Sequence, residues 1–185
     1  MTDLPRITVI VPAYNAAGEI AALIEALMGQ DYPSELAEII IVDNNSTDET
    51  FEIASKYKIT VLKEDEYQSS YAARNSGLNR ASGEYIAFTD ADCLPEPDWL
   101  KNGITEIMNQ KADLAGGQVK FYFHGRAGAA ELYDSLTNMD NKRVIENRQV
   151  AKTANLFVRS DVFGKAGPFP GNVKSGGDVQ WTKRA

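Results

Sequence analysis

The chain has 185 residues, with 19 basic and 26 acidic side chains, a net charge of −7 and 43% hydrophobic residues. That length fits one domain with a sizeable core, and the composition excludes a disordered chain. The acidic balance repels phosphate backbones, so nucleic acid is not an expected partner, and there is no run of about 18 apolar residues to span a membrane.

The first half alternates strand and helix patterns. Ile7–Val11 is a short β-branched run stopped by Pro12, the pattern of a strand buried on both faces. Asn15 is expected to cap a helix whose stripe is Ile20, Leu23, Ile24, Leu27 and Met28, closed by Gly29 and Pro33. Glu38–Val42 is the second strand, ending at Asp43. Ser46-Thr47-Asp48-Glu49 has the spacing of a capping box, which predicts a helix through about Tyr57. Ile59–Leu62 is a third strand, Ser69–Ala81 a helix, and Glu84–Thr89 a fourth strand running into Asp90-Ala91-Asp92. After Pro95 and Pro97, the residues Leu100, Ile104, Ile107 and Met108 mark another helix.

The second half is less regular. Leu114–Phe123 reads as a long strand, Ala129 to about Asn147 as one helix, Thr153–Arg159 as a strand and Ser160–Ala166 as a short helix. Residues 167–177 form a loop rich in Gly and Pro, and Val179–Arg184 opens a helix that looks cut short, as in a fragment of a longer protein. The alternation predicts an α/β fold, Rossmann-like, with a mainly parallel sheet, helices on both faces and a single domain.

Candidate chemistry sits at strand ends. Asp90 and Asp92 are two apart in extended chain, so both carboxylates can face one spot, and hard oxygen donors suit Mg²⁺ or Mn²⁺ carrying a diphosphate. The plainer alternative is a polar turn. Asp43 ends the second strand, where ligands bind in open α/β sheets, or else shapes the turn with Asn44. Tyr14, after Pro12 and Ala13, offers an aromatic face to a nucleobase or simply packs. Arg74 reaches phosphate or a carboxylate, or forms a surface salt bridge. Asp178 follows Ser175-Gly176-Gly177 and is either a general base toward a hydroxyl or a helix N-cap.

His124 is the only histidine, which excludes a multi-histidine metal site and argues against a Ser-His-Asp hydrolase; we expect a surface or structural role for it. The single cysteine, Cys93, reads as a small packed side chain and fits a reducing compartment. Residues 1–6 hold no apolar stretch of signal-peptide length. Neither a G-x-G-x-x-G after the first strand nor a G-x-x-x-x-G-K-[ST] is present, which removes the main support for dinucleotide redox and P-loop chemistry.

Taken in order, these pieces resemble the family 2 glycosyltransferases of the GT-A fold. The matching segments are Val9-Ile10-Val11-Pro12-Ala13-Tyr14-Asn15, Ile40–Asp48, Ala73-Arg74-Asn75-Ser76-Gly77-Leu78, Gly83–Asp92, Ala154-Asn155-Leu156 and Gly176-Gly177-Asp178. The resemblance implies that Pro12, Ala13, Tyr14 and Asp43 hold a nucleotide and that Arg74 belongs to the donor site. It implies that Asp92 binds the metal while Asp90 contacts ribose or the metal shell. Asn155 would lie near donor or acceptor, and Asp178 would be the catalytic base. The implied activity is inverting transfer from a nucleotide-activated sugar, a UDP-sugar for preference, to a saccharide or lipid-linked hydroxyl acceptor, with Mg²⁺ or Mn²⁺. The implied halves are a nucleotide-binding one, about 1–95, and an acceptor-side one, about 96–185. Family members commonly have Glu-Asp where this chain has Gly177-Asp178, and many continue further, with acceptor-binding or membrane elements. The rivals are a nucleotide-sugar-binding domain without turnover and a nucleotidyltransferase. We expect a cytoplasmic location, with peripheral contact at the inner face of a membrane left open.

Overall fold

The computed structural model describes residues 4–123, 125, 128–137 and 141–185. The elements run β1 Ile7–Ala13, α1 Ile20–Met28, β2 Ala37–Asp43, α2 Thr50–Ala54, β3 Thr60–Lys63, α3 Ser70–Arg80, β4 Tyr85–Thr89 and α4 Trp99–Asn109. They continue with β5 Leu114–Gly116, α5 Ala129–Thr137, α6 Asn141–Arg148, β6 Asn155–Arg159, α7 Val162–Ala166 and α8 Gly177–Thr182.

One six-stranded sheet has the order β3-β2-β1-β4-β6-β5. β1 to β4 are mutually parallel, and β6 runs antiparallel to both β4 and β5. This is the expected mainly parallel α/β architecture of the GT-A fold. All seven residues of β1 are buried, as its β-branched run requires of a central strand. Helix α1 buries Ile20, Leu23, Ile24 and Leu27 against one face, at roughly 1.5–3 kcal/mol per side chain. That face also carries Leu100, Ile104 and Ile107 of α4. On the other face lie Tyr71 and Ala73 of α3, Val162 of α7 and the fully buried Trp181 of α8. Helix α3 seats close on β1 because residue 77 is glycine: a Cβ there would stand 2.5 Å from Ile10 Cγ2.

Several local expectations are corrected. Pro12 does not stop β1, which runs to Ala13. Ala13 turns to β2, its carbonyl accepting the Asn44 N–H at 2.8 Å, so Pro12 turns to the β4 side, where the ladder already ends at Ile10–Phe88. A missing N–H costs no ladder bond there. Asn15 does not cap α1, which begins after Glu19. The Ser46–Glu49 pattern is not a capping box either: α2 is five residues long, Glu49 at its start makes no side-chain cap, and it is Asp48 whose Oδ1 accepts the Thr50 N–H, at 3.0 Å. Both segments instead bond each other. The Asn15 N–H donates to Ser46 Oγ, the Thr47 N–H to Asn15 Oδ1, and the Ala17 N–H to Asp48 Oδ2.

The long strand expected over 114–123 is only three residues. β5 pairs with Leu156–Val158, and the Gly117 N–H reaches the Asn155 carbonyl, where β6 begins. Beyond that point β6 offers no further residue to pair with. Of the helix expected over 129–147, Ala129–Thr137 (α5) and Asn141–Arg148 (α6) are helical, and residues 138–140 between them lie outside the described residues.

Candidate active site

The sheet order reverses between β1 and β4, and a crevice opens beyond their carboxyl ends. A cavity of about 550 Å³ fills it, lined by Pro12, Tyr14, Asn15, Ala16, Glu19, Ser70, Tyr71, Arg74, Asp90, Ala91, Asp92, Lys152, Thr153, Ala154 and Asp178. Pro12, Tyr14, Arg74, Asp90, Asp92 and Asp178, all singled out from sequence, therefore meet in one place. A second cavity of about 360 Å³ lies along Pro12, Ala13, Tyr14, Asn44, Gln68, Ser69, Ser70 and Lys174. Tyr14 is half exposed and borders both. Its neighbour Asn15 adopts a left-handed φ of 48°, and the bonds to Ser46 and Thr47 hold that turn.

Asp90 leaves β4 directly. It pairs with Arg74 through Nη2, and Arg74 is almost wholly buried, with its guanidinium carbon 5.5 Å from the centre of the Tyr71 ring. The surface salt bridge considered for Arg74 is thus a largely buried one that reaches into the site. Burial pushes the Asp90 carboxyl above the usual carboxylate range; Arg74 opposes this, while the charges of Asp92 and Asp178 push it higher. Asp92 is exposed. Asp178 is half-buried at the start of α8, where Gly176, not Asp178, is the N-cap. Its Oδ1 accepts from the Val179 N–H at 2.8 Å and from the Tyr71 hydroxyl at 3.2 Å.

Three expected site residues do not line the main cavity; the first, Ala13, borders only the second one. Asp43 is buried at the end of β2, in register with Ala13; its Oδ2 accepts weakly from the Ser46 N–H, and its Oδ1 has no hydrogen-bond partner. Asn155 is engaged elsewhere: its amide donates to the Gln118 carbonyl and accepts from Trp99 Nε1. Because β6 runs antiparallel to β4, its start and not its end faces the crevice; Lys152, Thr153 and Ala154, just before it, line the cavity, while the Asn155 side chain is held away by Gln118 and Trp99.

Lys152 and Tyr71 are lining residues that the sequence reading does not assign to the site. Nothing local marks Lys152. Tyr71 stands three residues before Arg74, on the same helical face, a spacing that flags it once Arg74 is chosen. Cys93 is partly buried, and burial, then the charge of Asp90, pushes its thiol up to about 11, so it is no nucleophile at neutral pH. His124 lies outside the described residues. Among the described residues, no three His, Cys, Asp or Glu side chains are grouped to hold a metal by themselves, and no helix is long and apolar enough to cross a membrane.

Comparison with known proteins converges on one group. Glycosyltransferase AglE of Haloferax volcanii is 48% identical across the whole of this chain, which spans 62% of AglE. The crystal structure of Staphylococcus aureus TarS 1-349 in complex with UDP-GlcNAc superposes with a TM-score of 0.76 at 27% identity, over 97% of this chain and 53% of that one. The mannosyltransferase PcManGT from Pyrobaculum calidifontis, in complex with GDP-Man and Mn²⁺, gives 0.77 at 29% identity, over 100% of this chain and 53% of that one. The chain thus spans about half to two thirds of the length of these relatives. The sequence profile of Glycosyl transferase family 2 matches residues 8–164, and the chain belongs to that family.

Proposed function

We propose that this domain transfers a sugar from a nucleotide-activated donor, UDP-linked by preference, to a hydroxyl acceptor with inversion at the anomeric carbon. One observation carries the reading: Asp90, Asp92 and Asp178, up to 88 positions apart, line a single cavity at the sheet's switch point. The relatives bound to UDP-GlcNAc and to GDP-Man with Mn²⁺ support the donor class.

The donor set fits a divalent cation. Asp92 and Asp90 offer hard oxygen ligands, and converging carboxylates repel a diphosphate unless positive charge comes between them. Two protein carboxylates leave a shell that diphosphate oxygens would complete, in keeping with the lack of a closed three-ligand cluster among the described residues. A bound Mg²⁺ or Mn²⁺ would supply charge to the leaving diphosphate. Arg74 holds Asp90 in place. Tyr14 and the buried Asp43 serve the nucleoside end, the orphaned Asp43 oxygen being an acceptor for a base or ribose donor.

Asp178 takes the proton from the acceptor hydroxyl. The oxygen's electron pair forms the new bond to the anomeric carbon, the bond from that carbon to the diphosphate breaks on the opposite face, and the nucleoside diphosphate leaves with those electrons. A positioned base of this kind contributes roughly 10²–10⁴-fold.

Calorimetry with UDP and GDP in Mn²⁺, followed by nucleotide release from UDP-GlcNAc and GDP-Man with water as acceptor, tests the reading. Exposed Asp92 tolerates substitution, so Asp92→Ala should keep the melting temperature and lose metal-dependent turnover. Unchanged turnover refutes the metal role, and nucleotide binding without turnover favours a binding domain.

A further inference from the structure

Resting on the assignment of Asp178 as base, we propose that Tyr71 is its positioning residue, and that residue 177 must be glycine to admit it. Tyr71 sits in the first turn of α3 and is 5% exposed. Its hydroxyl donates to Asp178 Oδ1 across 107 positions of sequence. The Val179 N–H donates to the same oxygen, so Oδ2 is the one left for an acceptor's proton. Two donors on one oxygen fix the rotation of the carboxylate and hence the direction of its other lone pairs.

The ring has little room to move. Phe169 packs beside it at 6.2 Å between centroids, and the Arg74 guanidinium lies over it. On the side of α8, a Cβ at residue 177 would stand 2.8 Å from ring atoms Cδ2 and Cε2. Glycine there lets the ring reach close enough for the hydroxyl to touch Asp178. Burial, and then the charge of Asp178, raises the phenol above its ordinary range, which keeps it a donor at neutral pH. Tyr71 also lines the cavity, so one side chain ties helix α3, which carries Arg74, to helix α8, which carries the base.

Nucleotide release from UDP-GlcNAc or GDP-Man in Mn²⁺ reads the proposal. Tyr71→Phe keeps the ring and removes the hydroxyl. It should lower kcat about 10-fold, the scale of one hydrogen bond to a charged group, with UDP affinity unchanged and a melting temperature lowered by only a few degrees. Gly177→Ala should displace the ring and give a similar loss, and the double variant should be no worse than either single one, because both remove the same bond. Full turnover in Tyr71→Phe, or losses that multiply in the double variant, overturns the proposal. Asp178→Asn separates the two claims. If it retains wild-type turnover, the base assignment fails; if it is inactive while Tyr71→Phe is unaffected, only the role of Tyr71 fails. A wild type that releases no nucleotide from either donor overturns both.

Discussion

The two walls of the cleft are built differently. One wall, Pro12 to Glu19 with Arg74, Asp90 and Asp92, comes from consecutive parallel units, each placing its residues at the end of a strand or in the helix that follows. The other, Lys152 to Ala154 with Asp178, comes from the start of an antiparallel strand and from a helix after a long loop. That second wall is tied to α3 by contacts of very long range: Ser69 Oγ donates to the Val173 carbonyl, and the Asn75 side chain bonds both the N–H and the carbonyl of Phe169. The first wall thus rests on the sheet and on Arg74 of α3, and the second is held to α3 by these long-range bonds. Helix α3 is therefore the element through which a change in one wall should reach the other.

The largest effect should come from Arg74→Met, which leaves Asp90 without its partner. Breaking a fully buried pair costs about 3–5 kcal/mol; because the Asp90 side chain is 36% exposed, about 2–3 kcal/mol is expected. At this chain length that lowers the melting temperature by roughly 5–10 °C, and Arg74→Met with Asp90→Asn should recover much of it. A loss that the second change does not reduce would mean the pair is not what holds this wall.

Asn75→Ala should come next, at about 1–3 kcal/mol for two lost hydrogen bonds. Amide hydrogen exchange should show faster opening in residues 167–177, with β1 to β4 still protected. Equal loss of protection in both regions would erase the distinction between the walls.

The smallest effect is a control at the far end of the sheet. Glu38 accepts from the Thr8 hydroxyl at 2.6 Å and from the Ser82 N–H and hydroxyl. Burial alone would raise its carboxyl, yet these bonds hold it below the usual range. A depressed folded-state value gives stability that is present above the ordinary carboxylate range and lost as pH falls through the lower folded value. Glu38→Gln should cost about 1 kcal/mol at neutral pH, flatten the acid limb of the stability curve, and leave nucleotide binding alone. Altered nucleotide affinity in this variant would show that the two ends of the sheet are coupled.

What was legible from sequence follows the same division. Parallel strands buried on both faces are continuous apolar runs, so β1, β2 and β4 announce themselves, and the carboxyl ends of β2 and β4 indicate where Asp43 and Asp90 must lie. The capping pattern at Ser46 misled because those side chains had a better partner in the loop after β1, and a spacing rule sees only its own segment. Gly177 is a second case that its own segment does not explain. The family resemblance suggests glutamate there, but a side chain at that point would run into Tyr71.

The order of the amino acids alone determined the alternation of strands and helices, the family and the acids at the strand ends, because these depend on periodicity and neighbours along the chain. Only the tertiary structure decided that Lys152 and not Asn155 faces the cleft, that Arg74 is spent on Asp90, and that Tyr71 meets Asp178. Those outcomes hang on the antiparallel direction of β6 and on contacts spanning up to 107 positions, and a chain's local pattern has no physical means of recording either.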